Sequence, residues 1–225
     1  MRVPDFALRA HPGYVLRFPM PSVWLKSLSV ILVCAVPALA DAALEAPKDA
    51  PRASLAGQLL VASSSMGDPR FAQAVIFMAR HDKNGALGIV INKPVGERPL
   101  ASLLETLGEK ETGAEGSVRI FAGGPVQPEM GFVVHSADYR RAETIVVDAR
   151  VAVTSTREIL RDIAHKQGPH KSLLAFGYAG WGPGQLDGEM AQRAWFTAEE
   201  DVDLIFDLDR AKVWDEAMKR RTQDL

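Results

Sequence analysis

The stretch Leu173-Leu-Ala-Phe-Gly-Tyr-Ala-Gly-Trp-Gly-Pro-Gly-Gln-Leu-Asp-Gly-Glu-Met190 joins an apolar run to five glycines, two aromatic rings and two carboxylates. Glycine accepts positive φ at little steric cost and lets another backbone approach closely. The stretch therefore predicts a buried strand at residues 173–176, a shaped glycine loop at 177–188 and a helix after it. Asp187 is the expected N-cap of that helix, with Glu189 in the first turn, where a negative charge suits the helix dipole.

Short runs rich in Val and Ile predict about seven strands in the folded part of the chain. They are residues 59–62, 74–79, 87–92, 118–122, 131–135, 144–153 and 173–178. Asn84-Gly85 is a strong signal for a two-residue hairpin loop. The second and third strands are therefore predicted to be antiparallel neighbours.

Helical patterns lie between and after these strands. Residues 100–107 carry leucines at helical spacing, and Ser155–Glu158 and Thr197–Glu200 have the form of capping boxes that open two more helices. Residues 209–221 predict a final amphipathic helix. Strands in hairpins with helices gathered late favour a single α+β domain with a mostly antiparallel sheet.

The first 40 residues have the layout of a secretory signal peptide. Basic residues precede the apolar run 28–36, and Ala38-Leu-Ala40 is the small-residue pattern that signal peptidase cuts. The apolar run is too short for a stable membrane anchor, and Met20 is an alternative start. We expect 1–40 to be removed, 41–55 to form a flexible spacer and 56–225 to fold. The protein is then expected in the periplasm, with the cytoplasm as the alternative.

Composition narrows the functional classes for the mature chain. The only Cys of the sequence, Cys34, lies in the predicted leader. Disulfides, a thiol nucleophile and a Cys-ligated metal are therefore excluded for the mature chain. The leader holds four of the 26 Lys and Arg and one of the 28 Asp and Glu, which leaves a net charge of −5. An acidic body without a basic stripe is a poor counterpart for DNA. Because dinucleotide, P-loop, zincin and nucleophile-elbow signatures are missing from the sequence, no cofactor or metal is predicted.

Several segments are more specific than packing requires. They are Asp68-Pro-Arg-Phe71, Gly85–Pro94, Gly123-Gly-Pro-Val126, Gly131–His135 and the glycine stretch. In this order they resemble the AlgH/YqgE-like family of bacterial proteins over residues 57–195. The resemblance implies a compact α+β domain whose bent antiparallel sheet closes into a pseudo-barrel with helices packed around it, and it implies no established reaction. The chain departs from the family at Ser64, where many members have Pro, at Arg193, where Asn is usual, and in its leader.

The resemblance also carries over a set of candidate site residues. The polar ones are Asp68, His81, Asn92, His135, Gln185 and Glu189, and Gly123, Gly124, Tyr178 and Trp181 stand beside them. The first hypothesis is a protein that binds a small molecule or a protein partner in a polar cleft where the DPRF, GGPV and glycine segments meet.

Two alternatives stay open beside the binding hypothesis. The first is a hydrolase or metal-dependent enzyme that uses His81, His135, Asp68 and Glu189, because imidazole and carboxylate groups ligate divalent metals and transfer protons. The second, a transcriptional regulator, rests only on a label that some family members carry.

Each candidate also has a purely structural interpretation. Asp68 before a proline is typical of a turn or helix cap, and the two histidines could each bond a loop carbonyl. Asn92 suits a strand end held by a side-chain bond to backbone. If Gln185 and Glu189 line a site, their replacement by Ala is expected to leave stability nearly unchanged.

The tryptophans have a structural interpretation too. Trp181 and Trp195 suit aromatic packing at a corner of the fold. If the ring of Trp181 is buried, Trp181→Ala is expected to cost about 3 to 5 kcal/mol.

Overall fold

The computed structural model of the protein describes residues 54–106, 108 and 114–222; the predicted leader and most of the predicted spacer lie outside them. Within these residues the strands are β1 (Leu59–Ala62), β2 (Val75–Asp82), β3 (Gly85–Val90), β4 (Pro94–Pro99), β5 (Ser117–Ala122), β6 (Val126–Ser136), β7 (Ile145–Val146), β8 (Val151–Thr154), β9 (Ser172–Trp181) and β10 (Trp195–Ala198). The helices are α1 (Leu100–Thr106), α2 (Glu158–Ala164), α3 (Gln185–Ala191), α4 (Val202–Phe206) and α5 (Val213–Lys219), with a turn of 3-10 helix at Pro69–Phe71.

The strands form one sheet in the order β10-β1-β2-β3-β9-β6-β8-β7, with β5 on β9 and β4 on β5. All pairs are antiparallel except β5 with β9. The predicted antiparallel pairing of β2 and β3 is confirmed, and the two-residue loop between them is Lys83-Asn84, one residue earlier than predicted, because Gly85 pairs with Asp82. The domain is α+β with a mostly antiparallel sheet, as predicted.

Side chains that alternate along the strands supply three apolar clusters. The central core takes Phe77 and Ile89 from one half of the sheet and Val134 from the other, and α4 and α5 close it with Ile205 and Val213. A second cluster lies on the other face of β1–β3, under α3. A third lies on the other face of β6 and β9, under α1 and α2. The sheet is therefore bent around one core with helices on its outer faces.

The backbone ladder does not close into a barrel. Among the described residues its two ends, β10 and β7, do not pair with each other. Side chains join them instead, because Arg150 in the turn before β8 forms an ion pair of 2.6 Å with Glu200, just after β10. The implied pseudo-barrel is thus an open sheet whose seam is bridged by the side chains of Arg150 and Glu200.

Several predicted boundaries were wrong, because side chains bond the backbone locally. The predicted strand 144–153 is split into β7 and β8 by a turn in which Asp148 accepts bonds from two backbone N–H groups. Neither predicted capping box opens a helix: α2 begins at Glu158, and Thr197 lies within β10. Asp201 caps α4 instead, by accepting the N–H groups of residues 203 and 204. The exposed strand β4 and the strand β10 were not predicted.

The glycine stretch differs most from its prediction. Strand β9 continues to Trp181 because β3 pairs with it there, and only residues 182–184 form the loop. Gly184, with φ of 70°, precedes α3, so Asp187 lies in the first turn and is not the N-cap. No helix in the described part of the chain is both long and apolar enough to span a bilayer.

Candidate functional site

The GGPV segment crosses β9, and glycines make the crossing possible. Gly123 lies between β3 and β9, where its N–H donates to the carbonyl of Phe176 at 2.7 Å, whereas Val126 pairs with β9 from the opposite edge. A Cβ atom on Gly123, Gly124 or Gly177 would overlap backbone atoms of the facing segment. Gly177 also has φ of 74°. Only glycine fits these positions, and the crossing brings GGPV against the end of β9.

A cleft of about 370 Å³, here called the Trp181 cleft, opens beside this crossing. It is lined by residues from three distant segments: Met66, Asp68, Arg70, Phe71, Pro125, Val126, Gly180, Trp181, Gln185, Glu189, Ala194 and Trp195. The structure therefore brings the DPRF, GGPV and glycine segments together. Four of the candidate residues line the cleft, namely Asp68, Trp181, Gln185 and Glu189.

Aromatic rings form one wall of the Trp181 cleft, and a carboxylate holds them in place. Trp181 and Trp195 meet edge to face with centroids 5.9 Å apart, and Phe71 packs on Trp195 in the same manner at 5.4 Å. Both indole N–H groups donate to Oε2 of Glu189, and Gln185 donates to Oε1 at 2.9 Å. Both carboxylate oxygens of Glu189 are thus engaged, which fixes the geometry of the wall.

An ion pair lies at the rim of the Trp181 cleft. Asp68 caps the 3-10 turn by accepting the N–H of Arg70, and the Arg70 guanidinium binds the same carboxylate at 2.6 Å. Because Arg70 donates these bonds, the pKa of Asp68 lies below its usual value. Asp68 is therefore ionised near neutral pH and is a weak proton acceptor. The side chain of Arg70 stays 65% exposed and keeps donors for a ligand.

A second depression, here called the Tyr178 hollow, adjoins the cleft. Its volume is about 320 Å³, and its lining is Arg80, Ala86, Leu87, Val126, Tyr178, Gly180, Trp181 and Gly182. Tyr178 is held by an edge-to-face contact with Phe132 at 5.7 Å. The hollow and the cleft share Val126, Gly180 and Trp181, so they form adjoining parts of one surface.

Neither candidate histidine lines the cleft or the hollow. His81, near the end of β2, accepts the backbone N–H of Leu55 through Nδ1 at 3.2 Å. His135 is fully buried in β6, with one ring nitrogen bonded to the carbonyl of Ser136 and the other to the hydroxyl of Thr154. Burial lowers the pKa of His135. Both histidines thus hold structural positions.

Asn92 is also structural, and the four residues considered for catalysis are not assembled into one group. Asn92 accepts the N–H of Val75 and donates to the carbonyl of Gln73, which ties β3 to β2. Within the described ranges, no three His, Cys, Asp or Glu side chains are grouped closely enough to hold a metal ion. Asp68 and Glu189 line the cleft and the two histidines do not, so the four side chains considered for acid–base or metal chemistry do not meet.

Sequence reasoning missed several contributors to this surface. Arg80 and Gly180 were not named as site residues, and Trp195 was expected only to pack. The only sequence feature that pointed to Gly180 was its position within the glycine stretch 177–188. Arg80 carried no signal, because a single arginine near the end of an exposed hairpin is ordinary.

Comparisons with known proteins agree with the resemblance. A family model described as AlgH-like matches residues 59–225. A UPF0301 protein from Jannaschia sp. is 46% identical over 167 residues, which is 73% of this chain and 87% of the relative. Another from Rhizorhabdus wittichii is 46% identical over 171 residues, 76% of this chain and 91% of the relative.

Solved structures have the same fold. The solution structure of the AlgH protein from Pseudomonas aeruginosa matches with a TM-score of 0.66 and 36% identity, over 77% of this chain and 92% of that one. A crystal structure from Corynebacterium diphtheriae matches with a TM-score of 0.57 over 74% and 87%, and its 22% identity makes it a likeness of fold alone. By sequence and by fold, this chain belongs to the AlgH-like family.

Proposed function

We propose that this protein is a binding protein and that the Trp181 cleft is its ligand site. One observation carries the proposal: three segments that are far apart in the sequence build a single cleft with an ordered aromatic wall. Concave sites lined by aromatic rings with a few placed polar groups are the usual form of ligand sites. The ligand is a small molecule or a side chain of a protein partner.

The lining indicates the chemistry of the ligand. Phe71 and Met66, which are half-buried, offer apolar contact, while the Arg70 guanidinium at the rim offers N–H donors and positive charge. A ligand with an apolar group and a nearby carboxylate or carbonyl fits both parts. Because Glu189 already orders the wall, little side-chain entropy is lost on binding.

The state of the polar groups favours binding over catalysis. Glu189 accepts three hydrogen bonds, and Asp68 has a lowered pKa beside Arg70. A hydrolase or metal-dependent enzyme of the type considered above would need His81 and His135 at the cleft, and neither lines it. The regulator hypothesis gains no support from the net charge of −5 expected for the mature chain.

The proposal is tested by NMR titration of the full chain with small aromatic carboxylates such as hydrocinnamate. We expect the indole N–H resonances of Trp181 and Trp195 to shift on binding. Arg70→Ala should weaken binding, while Arg98→Ala, which removes an exposed arginine from β4 outside the cleft, should leave it unchanged. Shifts confined to other surfaces, or equal affinity in both variants, would contradict the proposal. Native mass spectrometry of the purified protein would then identify a natural ligand that co-purifies.

We also propose that the protein acts outside the cytoplasm. The support is the succession of basic residues, an apolar run and Ala38-Leu-Ala40 in the first 40 residues. The family match begins at residue 59 and does not cover this segment.

A further inference from the structure

Strand β9 has an open edge beside the Trp181 cleft. On one edge, β3 pairs with residues 179–181 of β9. On the other edge, β6 begins with Val126 opposite Tyr178, and no strand of the described chain continues past that point. Gly180 is exposed there. An unpaired strand edge presents N–H and C=O groups that can bind another extended chain.

The direction of the Gly180 backbone follows from hydrogen bonds of β3. The N–H of Ile91 donates toward β2, to Val75, whereas the N–H of Val90 donates away from β2, to Gly123. Backbone groups alternate in direction along a strand. The backbone groups of Gly88 and Ala86 therefore point the same way as the N–H of Val90, which for these two residues is toward β9. Leu87 and Gly180 are therefore a pair without mutual hydrogen bonds. The N–H and C=O of Gly180 point to the open edge.

The two depressions meet at this edge and extend from it toward opposite faces of the sheet. Leu87 and Tyr178 of the Tyr178 hollow pack against the central core. Phe71 and Trp195 of the Trp181 cleft pack on the other face of β1–β3. Gly180 lines both. A strand laid along the edge would send alternate side chains to the two faces, and hence into the two depressions.

We propose that an extended peptide segment of a partner protein binds here by adding a short strand beside Gly180. This inference rests on the proposed function of the Trp181 cleft and names its ligand class. The central residue of the segment exchanges two backbone hydrogen bonds with Gly180 and places its side chain in the Tyr178 hollow. The residues on either side of it direct their side chains toward the Trp181 cleft. Recognition by backbone pairing with alternate side-chain pockets is a known mode of peptide binding.

Neighbouring groups limit the length of the added strand. The N–H of Gly182 is already bonded to the side chain of Gln185, and its carbonyl accepts the backbone N–H of the same residue. At the other end, Val126 occupies the partner position of Tyr178. Only the backbone groups of Gly180 are open between these two points. The paired part of the added strand is therefore about three residues long, with a rise of about 3.3 Å per residue.

The charges beside Gly180 indicate the sequence of the segment. Arg80 lines the Tyr178 hollow with its side chain 61% exposed, and its ion pair with Asp82 is loose at 4.0 Å. An acidic central side chain can therefore pair with Arg80. The aromatic wall of the cleft favours apolar residues on either side. The expected pattern is apolar, acidic, apolar.

The test uses the blocked peptide acetyl-Leu-Glu-Leu-amide and the same peptide N-methylated at Glu. The methyl group removes the main-chain donor to Gly180 and leaves the side chains unchanged. Amide hydrogen exchange and NMR titration of the full chain should show protection of the Gly180 N–H by the first peptide. The N–H of Gly96, on β4 outside both depressions, serves as the reference whose exchange rate the peptide should not change. N-methylation should weaken binding about five- to tenfold, and Arg80→Ala should weaken binding of the unmethylated peptide.

Three results would overturn strand addition. The first is equal affinity of the two peptides. The second is no protection of the Gly180 N–H while the indole resonances of Trp181 and Trp195 shift. Either of these leaves the cleft as a ligand site and removes only the added strand. The third is failure of the peptide to bind at millimolar concentration. The proposed function fails separately, if aromatic carboxylates also leave the indole resonances unchanged.

Discussion

Trp181 and Trp195 donate their indole N–H groups to the same carboxylate oxygen, Oε2 of Glu189, at 2.9 and 2.7 Å. The two rings lie at 83° to each other and are almost fully buried. The carboxylate is thus a structural centre for the wall of the cleft. These contacts favour a different expectation for Glu189→Ala than for a residue that only lines a site, because removal of the carboxylate leaves two indole donors without their acceptor.

We predict that Glu189→Ala lowers the free energy of unfolding by about 2 to 4 kcal/mol, since each donor left unsatisfied costs about 1 to 3 kcal/mol. Gln185→Ala is the control, because its side chain is exposed and its loss should cost less than about 1 kcal/mol. Urea denaturation of both variants gives the comparison. Equal stability of the two would show that the shared carboxylate contributes little.

A second prediction concerns the crossing of GGPV over β9. Gly177→Ala should lower the free energy of unfolding by about 3 kcal/mol or more, because φ is 74° and the new Cβ would overlap the carbonyl of Gly124. Gly188→Ala is the matched control. That residue lies within α3 with open space around it, so Ala should stabilise by up to about 1 kcal/mol. Thermal melts that rank the two variants in the opposite order would contradict the crossing.

The seam of the open barrel predicts a pH dependence. Burial, and then the negative charge of Asp148, raise the pKa of Glu200 from 4.5 to about 7, which the ion pair with Arg150 opposes. Between pH 4.5 and about 7, Glu200 therefore holds a proton in the folded state that it releases in the unfolded chain. The contribution of Glu200 to stability is complete below pH 4.5 and is lost as pH rises toward 7. The change corresponds to about 3 kcal/mol at most.

Glu200→Gln should remove this loss, and Glu199→Gln, an exposed neighbour, should retain it. The measurement is the free energy of unfolding by urea from pH 4.5 to 8 in all three proteins. Comparing the curves cancels the contribution of His135, whose lowered pKa acts in the opposite direction. Parallel curves for the protein and Glu200→Gln would show that Glu200 does not titrate in this range.

A fourth prediction is export with cleavage after Ala40. Fractionation of cells followed by N-terminal sequencing should find a periplasmic protein that begins at Asp41. A variant with Ala38 and Ala40 both changed to a bulky residue should keep its leader. A cytoplasmic protein that still carries residues 20–40 would refute export.

The fifth prediction is that the mature protein does not bind DNA specifically. With a net charge of −5, it offers little release of counterions from phosphate. Gel-shift assays at several salt concentrations should show no sequence preference. Tight binding that depends on the DNA sequence would revive the regulator hypothesis.

Much of the fold could be predicted from local sequence patterns. Strand β1 has the predicted bounds, and the predicted hairpin of β2 and β3 is present, because alternation of apolar residues and turn chemistry act over a few neighbours. Strand β4 escaped prediction because it is fully exposed and begins and ends with Pro, so no burial pattern marks it. The family was also readable from the sequence, since its motifs are ordered along the chain.

The sequence by itself determined which segments are unusual, and the tertiary structure decided where they meet. The glycines at 123, 124 and 177 indicated close backbone contact without naming the partner, which is a segment about 50 residues away. The sequence alone did not separate His81 and His135 from Glu189 as site candidates. The tertiary structure did, because the histidines lie in β2 and β6 away from the cleft, whereas Glu189 lies beside two indoles. Contacts between residues distant in sequence depend on how the strands pair, and short-range patterns do not encode that pairing.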